Sequence, residues 1–454
     1  MSTTTLIKSF RVERTEEHIE EVTKISKRIV VLFAIILIVA ILSQALALQT
    51  LSVTIHNIGT IDTSTPSSMA LTAVGHEFYN GDGVKVFLRG VGVAYQNNDA
   101  RGWWSGPGES YYTGRWETNL TLLAERIDAN LAALKSWGGN VIRVFPAVNW
   151  WWIDNINPYE RYGEGPDQDM SYRDYFELLV QRAELQGVYV IFCPYELVSY
   201  QEDYVGFGGL PVQGGPDSRG KAVLDAIYSG DPTYTEPMRR WWQSVAGRLG
   251  KYSNVIFEIW NEPDEVNKAN WFNHQIEMYK TIRQSTSNVV LFMWRMGAVP
   301  GWQEELSWIP DFHNQLRTNL ASEPVNVGYD FHAYRYVWNL QWGTDYSSVY
   351  GQLTSANWIP QTRSGGVDVP VLCGETGIGL DVSNLSAETG WWNGLLRSFN
   401  ELDVGYLAYY WIPADLGWEP EQGMFVADSA NYWPEGQLAP TPSVAGDIFL
   451  DNMP

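Results

Sequence analysis

Basic residues are scarce in this sequence of 454 residues. It contains 30 Lys and Arg against 52 Asp and Glu, which gives a formal net charge of −22 at pH 7. Binding to nucleic-acid phosphates requires basic stripes on the surface, so this balance excludes a nucleic-acid partner on electrostatic grounds. The same charge disfavours an acidic polysaccharide as substrate, whereas a neutral substrate is compatible with it.

Cysteine and histidine are also few. The two cysteines, Cys193 and Cys373, cannot form a disulfide framework, and each lies in an apolar run typical of a strand. We therefore predict two buried free thiols. The six histidines show no spacing typical of metal ligands. The sequence thus implies neither a metal ion nor an organic cofactor.

Aromatic residues, by contrast, are abundant, with 22 Trp, 25 Tyr and 16 Phe. Tyrosine and tryptophan bury a large flat surface and keep a polar group. The CH faces of sugar rings stack on such surfaces. Many of these residues occur in runs, such as the three tryptophans at 150–152 and the pairs at 241–242 and 391–392. We expect most aromatic residues to belong to the core and a minority to line a cleft.

Three segments precede the regular part of the sequence. Residues 1–28 form a charged head of mixed sign, and residues 29–48 form an apolar segment of about 20 residues, which suffices to cross a membrane. Residues 49–74 are rich in Ser and Thr and are typical of a linker that contains one short strand, at 51–55.

The apolar segment 29–48 has two possible interpretations. Lys24, Lys27 and Arg28 precede it and should remain cytoplasmic, so the rest of the chain would face outward. As an uncleaved anchor, the segment would hold the protein at the extracellular face of the cell membrane. As a signal peptide cleaved after Ala47, it would release a secreted protein. The long charged head favours the anchor, and both interpretations export residues 75–454.

Residues 75–454 alternate between apolar runs and helical patterns. A hairpin is predicted first, with strands at 77–79 and 84–88 around an Asn-Gly turn. Runs typical of buried strands lie near residues 88–93, 141–145, 188–193, 255–260, 289–294, 327–331, 369–373 and 406–410. Helical patterns lie at 121–137, 173–186, 237–250, 271–285 and 387–402. Eight such alternations predict an α/β fold, a (β/α)₈ TIM barrel, as one catalytic domain.

Two glutamates stand at the ends of these runs. Glu262 follows the fourth run and Glu375 follows the seventh. In (β/α)₈ barrels the active site lies at the carboxyl ends of the strands, and the fourth and seventh strands face each other across the mouth. Hydrolysis of a glycosidic bond needs one protonated and one ionised carboxyl group. The two glutamates are therefore predicted to be a catalytic pair.

The sequences around these glutamates resemble those of glycoside hydrolase family 5, within clan A of the barrel glycosidases. Residues 257–263, Phe-Glu-Ile-Trp-Asn-Glu-Pro, resemble the acid/base signature of that family. Residues 373–377, Cys-Gly-Glu-Thr-Gly, resemble its nucleophile region. The resemblance extends from about residue 75 to the C-terminus. It implies a retaining β-glycanase in which Glu262 is the acid/base and Glu375 forms a glycosyl-enzyme.

The same resemblance implies roles for five further residues. Arg143 would keep the nucleophile ionised, and the hydroxyl of Tyr334 would contact it. Asn261 would hydrogen-bond the 2-hydroxyl of the sugar, and His332 would shape the acid/base pocket. Trp411 would stack beneath the reacting sugar.

The substrate is predicted less directly than the chemistry. Cys193 and its neighbours stand where many family members carry a histidine, and residues 206–209 and 231–234 resemble mannanase members. The acid/base strand resembles cellulase members, and since loops vary most, it receives more weight. Glu258 within that strand is predicted to be structural. We therefore expect an endo-β-1,4-glucanase acting on β-glucan.

Two alternatives remain open at this point. One is a β-1,4-mannanase on the same scaffold, for which β-mannan is the polysaccharide partner. The other is not an enzyme but a surface glycan-binding protein whose catalytic site has decayed. The presence of both glutamates, Arg143 and Tyr334 argues against decay.

Overall fold

The structure is a computed structural model of the chain. It describes residues 69–93, 120–146, 148, 151, 171–194, 232–263, 268–294, 306, 308–335, 343–355, 367–378, 384–411, 424–426 and 437–453. The charged head, the apolar segment 29–48 and the short strand predicted at 51–55 lie outside these residues. Among the helices of the described residues, none combines the length and the apolar character that a membrane span needs.

A small antiparallel sheet precedes the barrel. Its strands are β1 (Thr72–Val74), β2 (Glu77–Tyr79) and β3 (Lys85–Val86). The last two form the predicted hairpin, in whose turn Gly83 has a φ of 74° that favours glycine. The first strand lies in the predicted linker, and Met69 and Leu71 beside it are buried against the barrel interior. The ordered sheet therefore begins before the boundary predicted at residue 75.

Eight parallel strands close into a barrel. In chain order they are β4 (Arg89–Gly92), β5 (Val141–Val144), β6 (Tyr189–Phe192), β7 (Val255–Glu258), β8 (Val290–Phe292), β9 (Val327–Ala333), β10 (Val371–Thr376) and β11 (Gly405–Ala408). Strand β11 pairs with β4 and closes the ring. Each apolar run predicted as a strand contains at least half of one of these strands, so the prediction of a parallel eight-stranded barrel is confirmed.

Eight helices occur in the described residues. They are α1 (Leu120–Ser136), α2 (Tyr172–Leu185), α3 (Pro232–Leu249), α4 (Lys268–Arg283), α5 (Trp308–Leu320), α6 (Tyr346–Ser355), α7 (Leu385–Glu401) and α8 (Val444–Asp451). The first seven each connect two successive barrel strands, which is the (β/α)₈ arrangement. Helices α5, α6 and α8 were not predicted from the sequence. A short pair of strands, β12 (Phe425–Val426) and β13 (Thr441–Pro442), follows the barrel.

The apolar core has two layers. The larger one fills the space between strands and helices and contains the tryptophan pairs at 241–242 and 391–392, all fully buried. These pairs are therefore core residues. The smaller layer fills the lower interior of the barrel and continues into the N-terminal sheet, with Ile191, Ile256 and Leu372 among its members. Both cysteines are free and buried, as predicted.

Candidate active site

Polar side chains fill the barrel interior near the carboxyl ends of the strands. Arg143 on β5, Glu258 on β7, and Asp330 and His332 on β9 are each no more than 1% exposed. Inward-facing residues alternate along a strand, so Asp330 and His332, two apart, share the inner face. Buried charges need partners, and Arg143 and Glu258 supply each other with one in an ion pair at 2.7 Å.

The two predicted catalytic glutamates lie at this end of the barrel. Glu375 is the second-last residue of β10, and Glu262 follows β7 by four residues. The φ of Glu262 is 43°, in the left-handed region that residues other than glycine seldom adopt. Backbone strain of this kind costs on the order of 1–3 kcal/mol and is concentrated at functional sites.

The two carboxylates and the ring of one histidine lie close together. One oxygen of Glu262, one oxygen of Glu375 and a ring nitrogen of His332 all lie within 4.8 Å of one another. His332 Nδ1 is 2.6 Å from Glu262 Oε1 and 3.9 Å from Glu375 Oε2. The glutamate side chains are 17% and 10% exposed, whereas the histidine side chain is fully buried. Both carboxylates are therefore partly exposed to solvent, whereas the histidine beside them is not.

Arg143 organises the side of the site that contains Glu375. Its Nε and Nη2 donate to the two carboxylate oxygens of Glu258, each at 2.7 Å, in a bidentate ion pair. The remaining donor, Nη1, reaches Glu375 Oε2 at 3.2 Å. Nη2 also donates to Asn261 Oδ1 at 2.8 Å. Glu258 is thus the principal partner of Arg143, and one guanidinium connects three side chains of the site.

The electrostatics of Glu375 are dominated by burial. Burial raises the pKa of its carboxyl above the usual value, and the negative charge of Glu262 acts in the same direction. His332, Arg143 and the Tyr334 hydroxyl, which donates to Glu375 Oε1 at 2.8 Å, lower the pKa without offsetting this rise. Arg143 was expected to keep this carboxylate ionised; it favours the ionised form, but the net pKa shift is upward.

His332 is neutral over most of the pH range. Burial lowers its pKa to about 4, since a charged imidazole would lose its hydration inside the barrel. A neutral imidazole can accept a hydrogen bond from a protonated Glu262 or, in its other tautomer, donate one to the ionised form. The contact can therefore persist in both protonation states of that glutamate.

Trp411 does not lie in the site, and its predicted stacking role is wrong. The side chain is fully buried, its Nε1 donates to Asn130 Oδ1 on α1 at 3.0 Å, and its ring packs edge-on against Trp137. Strand β11 ends at residue 408, so strand alternation no longer sets side-chain direction three residues later. Tyr409 is the half-buried aromatic residue here, and its backbone N–H donates to the carbonyl of Thr376, next to Glu375.

Asp330 and Cys193 also belong to the site and were not assigned to it from the sequence. Arg143 Nη2 lies 3.3 Å from Cys193 Sγ, and burial raises the pKa of this thiol. Asp330 lies 3.8 Å from the same nitrogen. The spacing of Asp330, His332 and Tyr334 at every second residue was the available signal for the aspartate.

The donor set fits acid–base chemistry better than metal binding. Among the described residues, two groups of three bring ligand atoms within 4.8 Å: Glu258, Asp330 and His332, and Glu262, His332 and Glu375. Arg143 contacts a carboxylate of each group, at 2.7 Å and 3.2 Å. This fixed positive charge repels a second cation from both positions.

Comparisons with known proteins agree with the motifs. A family model described as Cellulase (glycosyl hydrolase family 5) matches residues 109–415, more than half of the chain. No curated protein matches the sequence.

The fold is similar to that of solved glycanases. One is the β-glucanase SdGluc5_26A from Saccharophagus degradans, with 15% identity, a TM-score of 0.51, and coverage of 85% of this chain and 92% of that one. Its complex with cellotetraose gives 16% identity and the same TM-score and coverage. A mannanase from Streptomyces sp. SirexAA-E gives 15% identity, a TM-score of 0.46, and coverage of 81% and 88%. At such identities the likeness to the β-glucanase establishes the shared fold.

Proposed function

The chain belongs to glycosyl hydrolase family 5, and from this we propose that it is a retaining β-glycanase that cleaves β-1,4-linked glucan. The observation that carries the proposal is the placement of Glu262 and Glu375 around His332, with one atom of each within 4.8 Å of the others. Two carboxyl groups this close together at the mouth of a barrel suit an acid and a nucleophile.

The reaction takes two steps. In the first, protonated Glu262 donates its proton to the glycosidic oxygen while ionised Glu375 attacks the anomeric carbon. The bond to the leaving group breaks and an ester bond to Glu375 forms. In the second, Glu262 takes a proton from water, and the resulting nucleophile releases the sugar from Glu375. Each glutamate ends the cycle in its starting protonation state.

The neighbouring side chains have distinct parts in this scheme. Arg143 at 3.2 Å and the Tyr334 hydroxyl at 2.8 Å hold the two oxygens of Glu375 and stabilise its anion. The side-chain oxygen of Asn261 accepts from Arg143 at 2.8 Å, which directs its NH₂ group away from the guanidinium. That NH₂ group is available to a substrate 2-hydroxyl. His332 keeps Glu262 oriented through both steps.

The spacing of the carboxylates supports retention of configuration. Inverting enzymes hold their carboxyl groups roughly 6.5–9.5 Å apart to admit a water, whereas retaining enzymes hold them about 5–5.5 Å apart. Oxygens of Glu262 and Glu375 within 4.8 Å of each other favour the second geometry. The first sugar released should be the β anomer by NMR. Early appearance of the α anomer would overturn the double displacement.

Azide rescue separates the roles of the two carboxylates. In Glu262→Ala, azide can replace water on the glycosyl-enzyme and give a β-glycosyl azide. In Glu375→Ala, azide can replace the missing nucleophile and give an α-glycosyl azide, provided that Glu262 remains as the acid. An activated aryl glycoside is the substrate for both variants. The opposite pairing of products would exchange the two roles, and turnover itself would exclude a decayed glycan binder.

We also propose that the catalytic region is exported, because the apolar segment 29–48 follows Lys24, Lys27 and Arg28. As an anchor, this segment would hold the barrel at the outer face of the cell membrane. Native protein should then sediment with membranes and be released by detergent but not by high salt. A mature N-terminus at Leu48 would instead establish cleavage after Ala47. Recovery of the protein in the soluble cytoplasmic fraction, with an intact N-terminus, would contradict export.

A further inference from the structure

Asp330 contacts the backbone immediately before Glu375. It is 1% exposed, and its Oδ1 accepts a hydrogen bond from the backbone N–H of Gly374 at 2.6 Å. The register of β10 shifts between Cys373 and Glu375 against β9, and β10 is also irregular beyond Cys373 against β11. Such a bulge re-aims the side chains that follow it. The aspartate thus satisfies a backbone donor at the bulge immediately before Glu375.

The glycine at position 374 is explained by the same carboxyl group. A Cβ added to Gly374 would lie 2.0 Å from Asp330 Oδ2 and 2.5 Å from its Oδ1, closer than atoms can approach. Gly374 is not among the glycines with positive φ, so its backbone conformation alone would accept a side chain. The space that a Cβ would occupy is filled by the aspartate.

The second oxygen of Asp330 is positioned to carry a proton. Among the described residues, Oδ2 has no hydrogen-bond donor; Arg143 Nη2 is 3.8 Å away and His332 Nε2 is 3.9 Å away. An oxygen of Glu258 lies within 4.8 Å of an Asp330 oxygen. A buried anion without donors is costly, whereas a protonated Oδ2 can donate to Glu258.

The charges around Asp330 favour the neutral acid. Burial and the negative charge of Glu258 raise the pKa of Asp330 well above its usual value, and Arg143 opposes this only in part. The other titratable groups that face it are His332 and the thiols of Cys193 and Cys373. Since Arg143 already contacts two carboxylates, a third ionised carboxyl group would leave the layer with excess negative charge.

We propose that Asp330 is a positioning residue for Glu375, which in neutral form holds the bulge at Gly374 with one oxygen and Glu258 with the other. The ion pair of Glu258 with Arg143 and the strand that bears Glu375 then form one rigid unit. The inference rests on the proposed role of Glu375 as nucleophile. Asp330 itself transfers no proton to the substrate.

Two substitutions at this position test the proposal. Asp330→Asn is neutral and can still accept from Gly374 and donate to Glu258, whereas Asp330→Ala can do neither. Misplacement of a reacting group by about 1 Å costs about 10²-fold in rate. Asp330→Ala should therefore lower kcat about 10²-fold with KM changed less than about twofold. Asp330→Asn should restore most of that loss.

The results that overturn the proposal are specific. If Asp330→Asn is as slow as Asp330→Ala, the aspartate is required in ionised form. If Asp330→Ala retains kcat, the carboxyl group does not position Glu375. Asn254→Ala is the control, because Asn254 is equally buried but lies before β7, at the opposite end of the barrel, where it binds two backbone carbonyls. It should lower the melting temperature without changing kcat.

Substitution of the glycine tests the contact from its other side. Gly374→Ala should lower kcat as Asp330→Ala does, because the new methyl group displaces the carboxyl group. In the Asp330→Ala background that collision is absent, so the double variant should be no slower than Asp330→Ala alone. Additive losses would show that Gly374 and Asp330 act independently.

A spectroscopic measurement keeps this inference separate from the proposed function. Near neutral pH, the infrared band of protonated carboxyl groups should lose one component in Asp330→Asn. This holds in the resting protein whether or not it hydrolyses a glycan. If the wild-type protein hydrolyses no glycan, the proposed function fails. The protonation of Asp330 can still be measured in that case. An unchanged carboxyl band would refute the neutral acid.

Discussion

His332 Nδ1 lies 2.6 Å from Glu262 Oε1 and joins the end of β9 to the loop that follows β7. Because burial lowers the pKa of this histidine to about 4, the contact involves a neutral imidazole over most of the pH range. The same ring lies 3.9 Å from Glu375, so it separates the two carboxylates without adding a charge. Glu262 and Glu375 can therefore hold different protonation states at close range.

Removal of either glutamate should abolish most activity while the barrel remains folded. Glu262→Ala and Glu375→Ala should each lower turnover on the best polysaccharide by about 10²–10⁴-fold or more, because each removes a group that is proposed to act on the reacting bond. Circular dichroism and the melting temperature check the fold. Glu277→Ala, on the exposed face of α4, is the control. Wild-type turnover in either active-site variant would contradict the role assigned to that residue.

Tyr334→Phe should move the acidic limb of the activity profile to higher pH. The Tyr334 hydroxyl donates to Glu375 at 2.8 Å and lowers its pKa against the larger effect of burial. Without this hydrogen bond the pKa of Glu375 rises further, so the ionised form of this proposed nucleophile is lost at a higher pH. The measurement is kcat/KM against pH on a neutral substrate. Tyr189→Phe, in the lower barrel, is the control. An acidic limb that stays at the same pH or moves to lower pH would refute the role of the Tyr334 hydroxyl in lowering the pKa of Glu375.

Trp411→Phe should weaken the fold and leave substrate binding unchanged. The indole is fully buried, and its N–H donates to Asn130. Loss of this hydrogen bond and of part of the ring should lower the free energy of unfolding by about 1–3 kcal/mol. Denaturant titration measures the loss, and KM should match that of the wild type. A raised KM with unchanged stability would show that Trp411 contacts the substrate and is not a core residue.

The matching experiment concerns Tyr409, which is half-buried at the mouth of the barrel, beside Thr376. Tyr409→Ala should raise KM or lower kcat/KM, because its ring is half-buried and the face of a sugar can stack on such a ring. Tyr409→Phe should retain most activity if the aromatic face, and not the hydroxyl, makes the contact. Equal activity of Tyr409→Ala and the wild type would exclude the residue from the site.

The barrel was predictable because its strands are buried on both faces. Such strands are continuous apolar runs, and each of the eight runs contains at least half of one strand. Three helices were missed for local reasons. Helix α6 is rich in Ser and Tyr, α8 has only eight residues, and α5 carries Pro310 in its first turn, where proline is tolerated.

The site was predictable where a residue stands at or near the end of a strand in a recognisable motif. Glu262, four residues after β7, and Glu375, at the end of β10, are of this kind. The contact of Asp330 with Gly374 depends on a shift in register between β9 and β10, which no spacing within one segment encodes. Trp411 was misassigned because its direction depends on where β11 ends. Side-chain direction beyond a strand end is set by tertiary contacts, here with Asn130.

Two buried histidines should make the fold sensitive to acid. Burial lowers the pKa of His274 and of His332 from 6.5 to about 4. Between these values the unfolded chain binds more protons than the folded protein. Their contribution to stability is therefore complete above pH 6.5 and declines as the pH falls towards 4.

His274→Phe isolates one of these contributions. The ring of His274 stacks on Trp271 at 5.2 Å, and within the described residues its nitrogens have no hydrogen-bond partner, so phenylalanine can replace it. The variant should show a flatter dependence of unfolding free energy on pH, with a relative gain of up to about 3 kcal/mol near pH 4. Urea titrations at several pH values measure this. Parallel curves for the variant and the wild type would contradict it.

Glucan and mannan differ at the 2-hydroxyl, which is equatorial in glucose and axial in mannose. Asn261 is the residue expected to bind this hydroxyl, and Arg143 fixes its amide at 2.8 Å. An amide NH₂ group can donate to a hydroxyl in either orientation. Discrimination must therefore come from the groups around it, for which Tyr409 is the candidate among the described residues.

We expect β-1,4-glucan to be hydrolysed with a higher kcat/KM than β-1,4-mannan. The ground is the sequence of residues 257–263, which resembles the cellulase members and supplies Glu258 as the bidentate partner of Arg143. A site that hydrogen-bonds one hydroxyl geometry rejects the other strongly, because its polar groups are left unpaired. Mixed-linkage glucan, carboxymethyl cellulose and pure mannan should be compared under identical conditions. Mannan hydrolysed about tenfold better than either glucan would establish a mannanase, and the expected roles of Glu262 and Glu375 would remain as proposed.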